Sequence, residues 1–204
     1  MLFKRRVAAG YDVIAERLDR ERGQGSGVAR WLSLFADALP LDARVLDLGC
    51  GAGNPHTAFL AQRFRVVGVD ISRTQLKMAA TRVPNADFIL ADMSSLHFPP
   101  ASFDGITAIY SMIHVPREGQ PSLFAAIRRW LKPDGTAFLV LGANDTPSSE
   151  ETDWFGAPML WSHYDAETNF KMLGNAGLHV LESALEPDPT DPTGRHLFTL
   201  SRAA

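Results

Sequence analysis

The chain has 204 residues, of which 46% are hydrophobic, and such a chain can bury one full core. Its 20 basic and 23 acidic residues give a formal charge of −3, which makes nucleic acid and anionic membrane surfaces poor partners. The single cysteine, Cys50, excludes an intrachain disulfide and fits a reducing cytosol. No stretch approaches the roughly 18 apolar residues of a membrane span, so we expect a cytoplasmic protein with a single domain over residues 1–204.

The first forty residues predict two helices that precede any strand. From Phe3 to about Arg22, apolar side chains recur at steps of three and four, which indicates one buried stripe of an amphipathic helix. A glycine-rich hinge follows at 23–27, and a second helix runs to about Ala38 before Pro40 ends it. Two helices joined by such a hinge suggest a lid over the remainder, residues 41–204. An ordinary packed helical extension is the alternative.

From Arg44 onward, apolar runs alternate with helical patterns. The predicted strands are 44–48, 65–71, 88–92, 103–110 and 136–141, and the predicted helices between them end at about 63 or cover 72–82 and 122–131. Strands that are separated by helices indicate right-handed βαβ units. We therefore expect a mostly parallel sheet with helices on both faces.

The pattern changes after the fifth predicted strand. Residues 142–164 have no clear period, which predicts a long loop over the carboxyl edge of the sheet. The aromatic and aliphatic residues at 154–161 could form a lid over a small acceptor or belong to the core. A helix is expected at 165–176. The proline-rich linker between the last two strands, 179–185 and 196–201, is too short for a crossover, so these strands should form an antiparallel hairpin.

A glycine turn follows the first strand, in Asp47-Leu48-Gly49-Cys50-Gly51-Ala52-Gly53. Glycines at these positions allow positive φ and leave a bare backbone for a ligand to approach. A dinucleotide fingerprint would need its third glycine at position 54, where the chain has Asn54, and no Lys-Ser or Lys-Thr follows to form a phosphate-binding loop. Asp47 would repel a pyrophosphate but attract an ammonium or sulfonium.

Three further polar residues end neighbouring strands at the same predicted edge. Asp70 lies 23 positions after Asp47, close to the spacing at which an acid accepts hydrogen bonds from the two ribose hydroxyls. Asp92 ends the third strand, where a carboxylate can accept from the amine of adenine, and Ser111 follows the fourth. Together they predict a slot for adenosine that carries a zwitterionic amino acid.

These segments resemble, in order, the motifs of the class I S-adenosylmethionine-dependent methyltransferases. The matching segments are 45–53, 68–72, 91–93, 103–104 and 131–136. The resemblance implies a Rossmann-like α/β fold whose seven-stranded, mostly parallel sheet has the order 3-2-1-4-5-7-6, with strand 7 antiparallel. It also implies S-adenosylmethionine as the cofactor, S-adenosylhomocysteine as its product and a small molecule as the methyl acceptor.

By position, the resemblance implies a set of cofactor contacts. These are Asp47, Gly49 and Gly51 to the methionine part, Asp70 to the ribose, Asp92 and Met93 to the adenine, Ile71 against the adenine face, Ser111 as a wall beside the cofactor, and Tyr11 over the methionyl carboxylate. The residues Asn54-Pro55-His56 depart from the small or hydroxyl residues that are usual after the turn.

Methyl transfer needs a base only if the acceptor must lose a proton. His114 is the first candidate, with His163 and Tyr164 as the second, although each could simply shape the pocket. No acid or histidine cluster has metal-ligand spacing, so we expect no metal. Two alternatives to methyl transfer stay open: a fold relative that binds the cofactor but catalyses a rearrangement or cyclisation, and a nicotinamide-dependent oxidoreductase or non-catalytic nucleotide-binding module.

Overall fold

The computed structural model describes residues 2–21, 26–191 and 193–204. The helices are α1 (Leu2–Glu21), α2 (Ser26–Asp37), α3 (His56–Ala61), α4 (Arg73–Arg82), α5 (Gln120–Trp130) and α6 (Ala166–Asn175). The strands are β1 (Arg44–Leu48), β2 (Arg65–Asp70), β3 (Asp87–Leu90), β4 (Phe103–Ala108), β5 (Leu131–Gly142), β6 (Thr146–Trp154), β7 (Ala157–His163), β8 (Leu178–Pro187) and β9 (Arg195–Ala203). Of the predicted hinge at 23–27, residues 23–25 lie outside the described residues, and residues 26–27 belong to α2.

Seven strands form one sheet in the order β3-β2-β1-β4-β5-β9-β8. The first five pair in parallel, and β9 is antiparallel to both β5 and β8. This confirms the predicted Rossmann-like order and the terminal hairpin, with β8 and β9 as the predicted strands six and seven. In β1, Val45, Leu46 and Leu48 are fully buried, because a central parallel strand is covered on both faces.

Helices cover both faces of the sheet and form two core clusters. On one face, α5 buries Phe124, Ile127 and Trp130 against β4 and β5. On the other face, α2 buries Trp31 and Phe35, and the Trp31 ring stacks on Phe138 of β5 with centroids 6.0 Å apart. This sandwich leaves the carboxyl ends of the parallel strands as the edge where a ligand can enter.

The prediction of a long loop over 142–164 is wrong, because β6 and β7 pair there as a separate two-stranded sheet. The alternation that predicts a strand is absent from β6, whose residues are mostly polar and exposed. Only β7 is apolar, and its Met159 and Leu160 pack against Val7 and Ile14 of α1. The polar strand β6 is thus held by its pairing with β7 and buries no apolar face of its own.

Helix α1 lies close against β7 at Gly10. A Cβ atom at this position would come within 2.8 Å of the Pro158 carbonyl oxygen, so only glycine allows this approach. On its other side, α1 contacts the start of α4. Asp12 of α1 accepts hydrogen bonds there from the Ser72 hydroxyl (2.6 Å) and the Thr74 N–H (2.9 Å). Among the helices of the described residues, none combines the length and the apolar composition that a membrane span needs.

Candidate active site

The glycine turn between β1 and α3 has the backbone conformation that its sequence predicts. Gly49, Gly51 and Gly53 have φ values of 77°, 57° and 80°, which L side chains rarely adopt. The Gly49 N–H donates to the Val69 carbonyl at 2.7 Å, which ties the turn to β2. A Cβ atom at Gly49 would lie 2.2 Å from the Ser111 Cβ, so Ser111 lies directly against the turn.

Asp47 lies beneath this turn and is not among the residues that line the cavity. Its side chain is only 2% exposed and accepts hydrogen bonds from the hydroxyls of Thr57 (2.7 Å) and Thr107 (2.9 Å). Burial raises the pKa of Asp47, and the two hydroxyls oppose this effect. Asp47 therefore supports the turn from below, and the cofactor contact that the resemblance implies for it stays a prediction.

Asp70 closes β2 and faces the cavity beside the turn. Its two carboxylate oxygens accept from the backbone N–H groups of Gly51 and Ser72, each at 2.8 Å. Burial raises the pKa of Asp70 to about 6; the two N–H groups lower it and the negative charge of Asp47 raises it further. Each oxygen retains capacity for a further hydrogen bond, since a carboxylate has about four acceptor positions.

Asp92 follows β3 and is held by both the backbone and α1. One carboxylate oxygen accepts from the Ser94 N–H at 2.9 Å, and the other forms a 2.7 Å ion pair with the Lys4 ammonium. Burial alone would raise the pKa of Asp92, but the hydrogen bonds from Lys4 and Ser94 outweigh it and hold the pKa below its ordinary value. Asp92 is therefore a carboxylate, and α1 reaches across the site to contact it.

Tyr11 and His114, which come from α1 and from the segment after β4, form a hydrogen-bonded pair. The Tyr11 hydroxyl lies 2.8 Å from His114 Nε2, and His114 Nδ1 lies 2.7 Å from the Leu160 carbonyl oxygen of β7. Aromatic rings surround the pair: Tyr11 meets Trp154 edge-on at 5.9 Å, and His114 lies 5.8 Å from Trp161. Trp154 of β6 and Trp161 of β7 thus pack against this pair.

His163 and Tyr164, the second candidates for a base, do not line the cavity. His163 Nδ1 lies 2.8 Å from the Asn144 carbonyl oxygen, and its ring packs where a side chain at Gly142 would be. Burial lowers the pKa of His163, and the backbone contact opposes this effect. The Tyr164 ring stacks under the Arg117 guanidinium at 5.0 Å. The structure thus separates these two residues from His114.

A cavity of about 200 Å³ brings the other predicted residues together at the carboxyl edge of the sheet. Its lining includes Tyr11, Gly49, Gly51, Asp70, Ile71, Asp92, Met93, Ser111 and His114. It also includes residues that sequence analysis did not assign to the site, among them Lys4, Leu18, Val28, Gln75, Tyr110 and Pro189. His56 lines it too, and the only sequence signal for this was the unusual Asn54-Pro55-His56. In the described part of the chain, no group of three His, Cys, Asp or Glu residues could hold a metal ion.

Comparison with known proteins shows what the chain is similar to. Residues 45–135, from β1 to the turn within β5, match a family described as a methyltransferase domain. Methyltransferase GfsG of Streptomyces halstedii is 34% identical over an alignment of 164 positions, which covers 74% of this chain and 58% of GfsG. The chain is thus similar to methyltransferases over this segment, and it has the fold of solved S-adenosylmethionine-dependent methyltransferases.

Two further likenesses cover most of the chain. The 27-O-demethylrifamycin SV methyltransferase of Amycolatopsis mediterranei is 29% identical over 216 residues, with 93% of this chain and 77% of the relative covered. The structure of the Burkholderia thailandensis 1,6-didemethyltoxoflavin-N1-methyltransferase has a TM-score of 0.72 at 21% identity, with 100% of this chain and 87% of that chain covered. The likeness to the Burkholderia protein concerns the fold alone. The chain covers little more than half the length of GfsG, the relative from Streptomyces halstedii.

Proposed function

We propose that this protein transfers the methyl group of S-adenosylmethionine to a small-molecule acceptor. The observation that carries the proposal is the environment of Asp70. Its carboxylate lies at the carboxyl end of β2 beside the glycine turn, accepts from two backbone N–H groups and belongs to a residue that lines the cavity, and it has acceptor positions beyond these two bonds. Two adjacent ribose hydroxyls provide the matching donors, and a carboxylate accepts from both.

The remaining residues of this half of the cavity fit the rest of an adenosine. Ile71 and Met93 supply apolar surface beside Asp70, and Asp92 presents a carboxylate that can accept from an exocyclic amine. At Gly51, a Cβ atom would meet only the Gln75 side-chain oxygen, at 3.8 Å, so the bare face of the turn is open to the cavity. The methionine part of the cofactor would lie over this face.

The bound cofactor supplies an activated methyl group on a sulfonium, and transfer is an in-line displacement. The task of the protein is to hold the acceptor atom opposite the departing sulfur, because alignment provides much of the rate. Ile109 and Tyr110, which follow β4, and Pro189 of the β8–β9 loop line the cavity, while α1 and α2 contribute Leu18 and Val28. These mostly apolar walls favour a small, partly apolar acceptor.

The names of two similar proteins agree with this acceptor class. They specify 27-O-demethylrifamycin SV and 1,6-didemethyltoxoflavin, which are both small molecules. We propose His114 as the base if the acceptor must lose a proton, since its ring is buried at the cavity wall and bonded to Tyr11. We further propose that residues 1–204 form one domain in which α1 and α2 act as a lid.

Incubation with methyl-labelled S-adenosylmethionine and a metabolite extract tests the proposal. We expect mass spectrometry to detect a small product that carries the label, with less of it formed by Asp70→Ala at the same, subsaturating cofactor concentration. Binding of S-adenosylhomocysteine without transfer of label to any compound would contradict methyl transfer. New products whose masses show no added methyl group would instead indicate a rearrangement or cyclisation.

A further inference from the structure

Ser72 connects the acid that closes β2 with an acid of the first helix. Its backbone N–H donates to Asp70 Oδ1 at 2.8 Å, and its hydroxyl donates to Asp12 Oδ1 of α1 at 2.6 Å. Ser72 itself is fully buried, so its place between the two carboxylates is fixed by packing as well as by these bonds. One serine thus joins α1 to the carboxylate that the proposed function assigns to the ribose.

The N-terminus of α4 is capped by two residues, and one of them belongs to α1. The Ser72 hydroxyl accepts from the Gln75 N–H at 3.1 Å, which is the usual bond of an N-cap residue. The Thr74 N–H, one position earlier, donates to Asp12 Oδ1 at 2.9 Å. A helix has no partner of its own for its first N–H groups, and its positive end attracts an acid. Asp12 therefore satisfies a donor that α4 leaves open.

Asp12 is an exposed residue, and its contact with α4 depends on one oxygen atom. Burial alone would raise the pKa of Asp12, but the bonds from Ser72 and Thr74 and the charge of Arg73 outweigh it and hold the pKa below its ordinary value. Both bonds go to Oδ1, and an amide oxygen at this place accepts the same two donors. The contact thus requires an acceptor oxygen rather than a negative charge.

Resting on the proposed function, we propose that Asp12 is a positioning residue for the ribose contact: with α1 in place, Asp12 holds Ser72 so that the Ser72 N–H fixes the Asp70 carboxylate. Without Asp12, the Thr74 N–H turns to water and the first turn of α4 frays, so Ser72 is held less firmly against Asp70. Docking of α1 and binding of the ribose then support each other, because coupling between two sites is reciprocal.

A weaker bond from the Ser72 N–H shows in the titration of Asp70. Burial raises the pKa of Asp70 to about 6, and this N–H is one of the groups that lower it. If loss of Asp12 weakens the bond, the pKa of Asp70 rises further and nucleoside binding is lost at a higher pH. Loss of the Asp12 charge alone acts in the opposite direction, since a negative neighbour favours the protonated form of an acid. The direction of the shift therefore separates positioning from electrostatics.

Other charged and titratable groups also lie near Asp70. They are Asp47 beneath the turn, Cys50 in the turn, Arg73 in α4 and the Lys4–Asp92 pair. Among the described residues that line the cavity, the further titratable ones are Tyr11, Asp19, His56, Tyr110 and His114. Burial raises the pKa of Cys50 well above its ordinary value, so the thiol keeps its proton. All these groups are the same in the Asp12 variants, so a difference between those variants reports on Asp12.

Calorimetry with methylthioadenosine, which lacks the amino acid part of the cofactor, measures the affinity from pH ~5 to ~8. The unmodified protein should lose affinity below pH ~6. Asp12→Ala should bind about 2- to 10-fold more weakly at pH ~7.5, the range for one hydrogen bond, and its midpoint should rise by roughly half to one pH unit. Asp12→Asn should keep the affinity and show a midpoint that is unchanged or slightly lower, because its amide oxygen accepts the same two bonds.

Two further variants serve as control and second test. Asp19→Asn loosens α1 at its contact with Arg82, at the other end of α4, and should leave the midpoint unchanged. Ser72→Ala removes the hydroxyl that Asp12 binds and should also raise the midpoint. Adding Asp12→Ala to Ser72→Ala should have a smaller effect than Asp12→Ala alone, because both remove the same bond. Urea denaturation shows which variants are folded, and Ser72→Ala decides if Asp12→Ala is not.

The outcomes separate this inference from the function on which it rests. No binding of methylthioadenosine or S-adenosylhomocysteine by the unmodified protein would contradict the proposed function itself. Binding by the unmodified protein with equal midpoints in Asp12→Ala and Asp12→Asn, or with a shift of the same size in Asp19→Asn, would overturn the role of Asp12 and leave the proposed function standing.

Discussion

The floor and the roof of the cavity are built by different means. The floor, which we define as the glycine turn 49–53 with Asp70, is held by backbone hydrogen bonds such as Gly49 N–H to Val69 and Gly51 N–H to Asp70. The roof, which is α1, is held by side chains, including the partly exposed ion pairs Lys4–Asp92 and Asp19–Arg82. Backbone contacts in a buried turn hold one geometry, whereas partly exposed ion pairs are individually weak.

This difference indicates which part of the site is preformed and which part can move. The floor keeps its shape without a ligand, because its conformation follows from glycine φ values and strand ends. We propose that the roof yields when a cofactor enters; its apolar face packs on β7, whereas each of its partly exposed ion pairs contributes at most about 1 kcal/mol. Substitutions in the floor and in the roof should therefore differ both in the property that they change and in the magnitude of the effect.

The largest effect is expected for Gly49→Ala in the floor. The new Cβ atom would lie 2.2 Å from the Ser111 Cβ at a φ of 77°, and a strained φ together with overpacking costs roughly 2–4 kcal/mol. Urea denaturation should show this loss in the free energy of unfolding, and calorimetry should show no binding of S-adenosylhomocysteine. Gly174→Ala in α6 is the matched control, because its Cβ meets nothing within 4 Å, and it should be neutral or stabilising by up to about 1 kcal/mol.

The next largest effect is expected for Asp70→Ala, which should weaken S-adenosylhomocysteine binding by about 1.5–3 kcal/mol, or roughly 10- to 100-fold. Asp104→Asn, a substitution of a carboxylate bonded to Lys132 and the Arg44 N–H, should leave the affinity unchanged. An affinity of Asp70→Ala equal to that of the unmodified protein would contradict the ribose contact.

Asp70 also predicts a pH dependence whose sign follows from its raised pKa. Below pH ~6 the free protein holds a proton on Asp70, and binding of the ribose hydroxyls must displace it, so the affinity for methylthioadenosine should fall up to about tenfold per pH unit. For the same reason, the contribution of Asp70 to the free energy of unfolding is greatest below about pH 4 and is lost as the pH rises to about 6. Calorimetry across this range checks the first effect, and an affinity independent of pH would exclude it.

The smallest effect is expected in the roof, for Asp19→Asn. Loss of the bidentate contact to Arg82 should lower the free energy of unfolding by at most about 1 kcal/mol, with the difference reduced by salt. Hydrogen exchange should become faster in α1 and stay unchanged in β1. Glu16→Gln removes an exposed pair within α1 itself, so it is the matched control and should change neither. Equal acceleration in α1 and β1 would show that roof and floor open together.

The same division explains what could be predicted from the sequence. Glycines after an apolar strand and acids at strand ends act through local geometry, so the floor could be predicted from the residues themselves, and the short proline-rich linker predicted the terminal hairpin. The sheet order was predicted from the resemblance to the methyltransferase family. The roof depends on residues far apart in the chain: Tyr11 and His114 are separated by 103 positions, and no local pattern pairs them. The strand β6 was missed because its polar residues lack the alternation that marks a strand. The burial of Asp47 could not be predicted, because its two threonine partners lie on other elements.

Calorimetric titration of the unmodified protein with S-adenosylhomocysteine and, separately, with NAD tests the central claim most directly. A floor that accepts two ribose hydroxyls at Asp70 and excludes a pyrophosphate by its glycine spacing should bind S-adenosylhomocysteine and not NAD. Tight binding of NAD with no binding of S-adenosylhomocysteine would contradict the account.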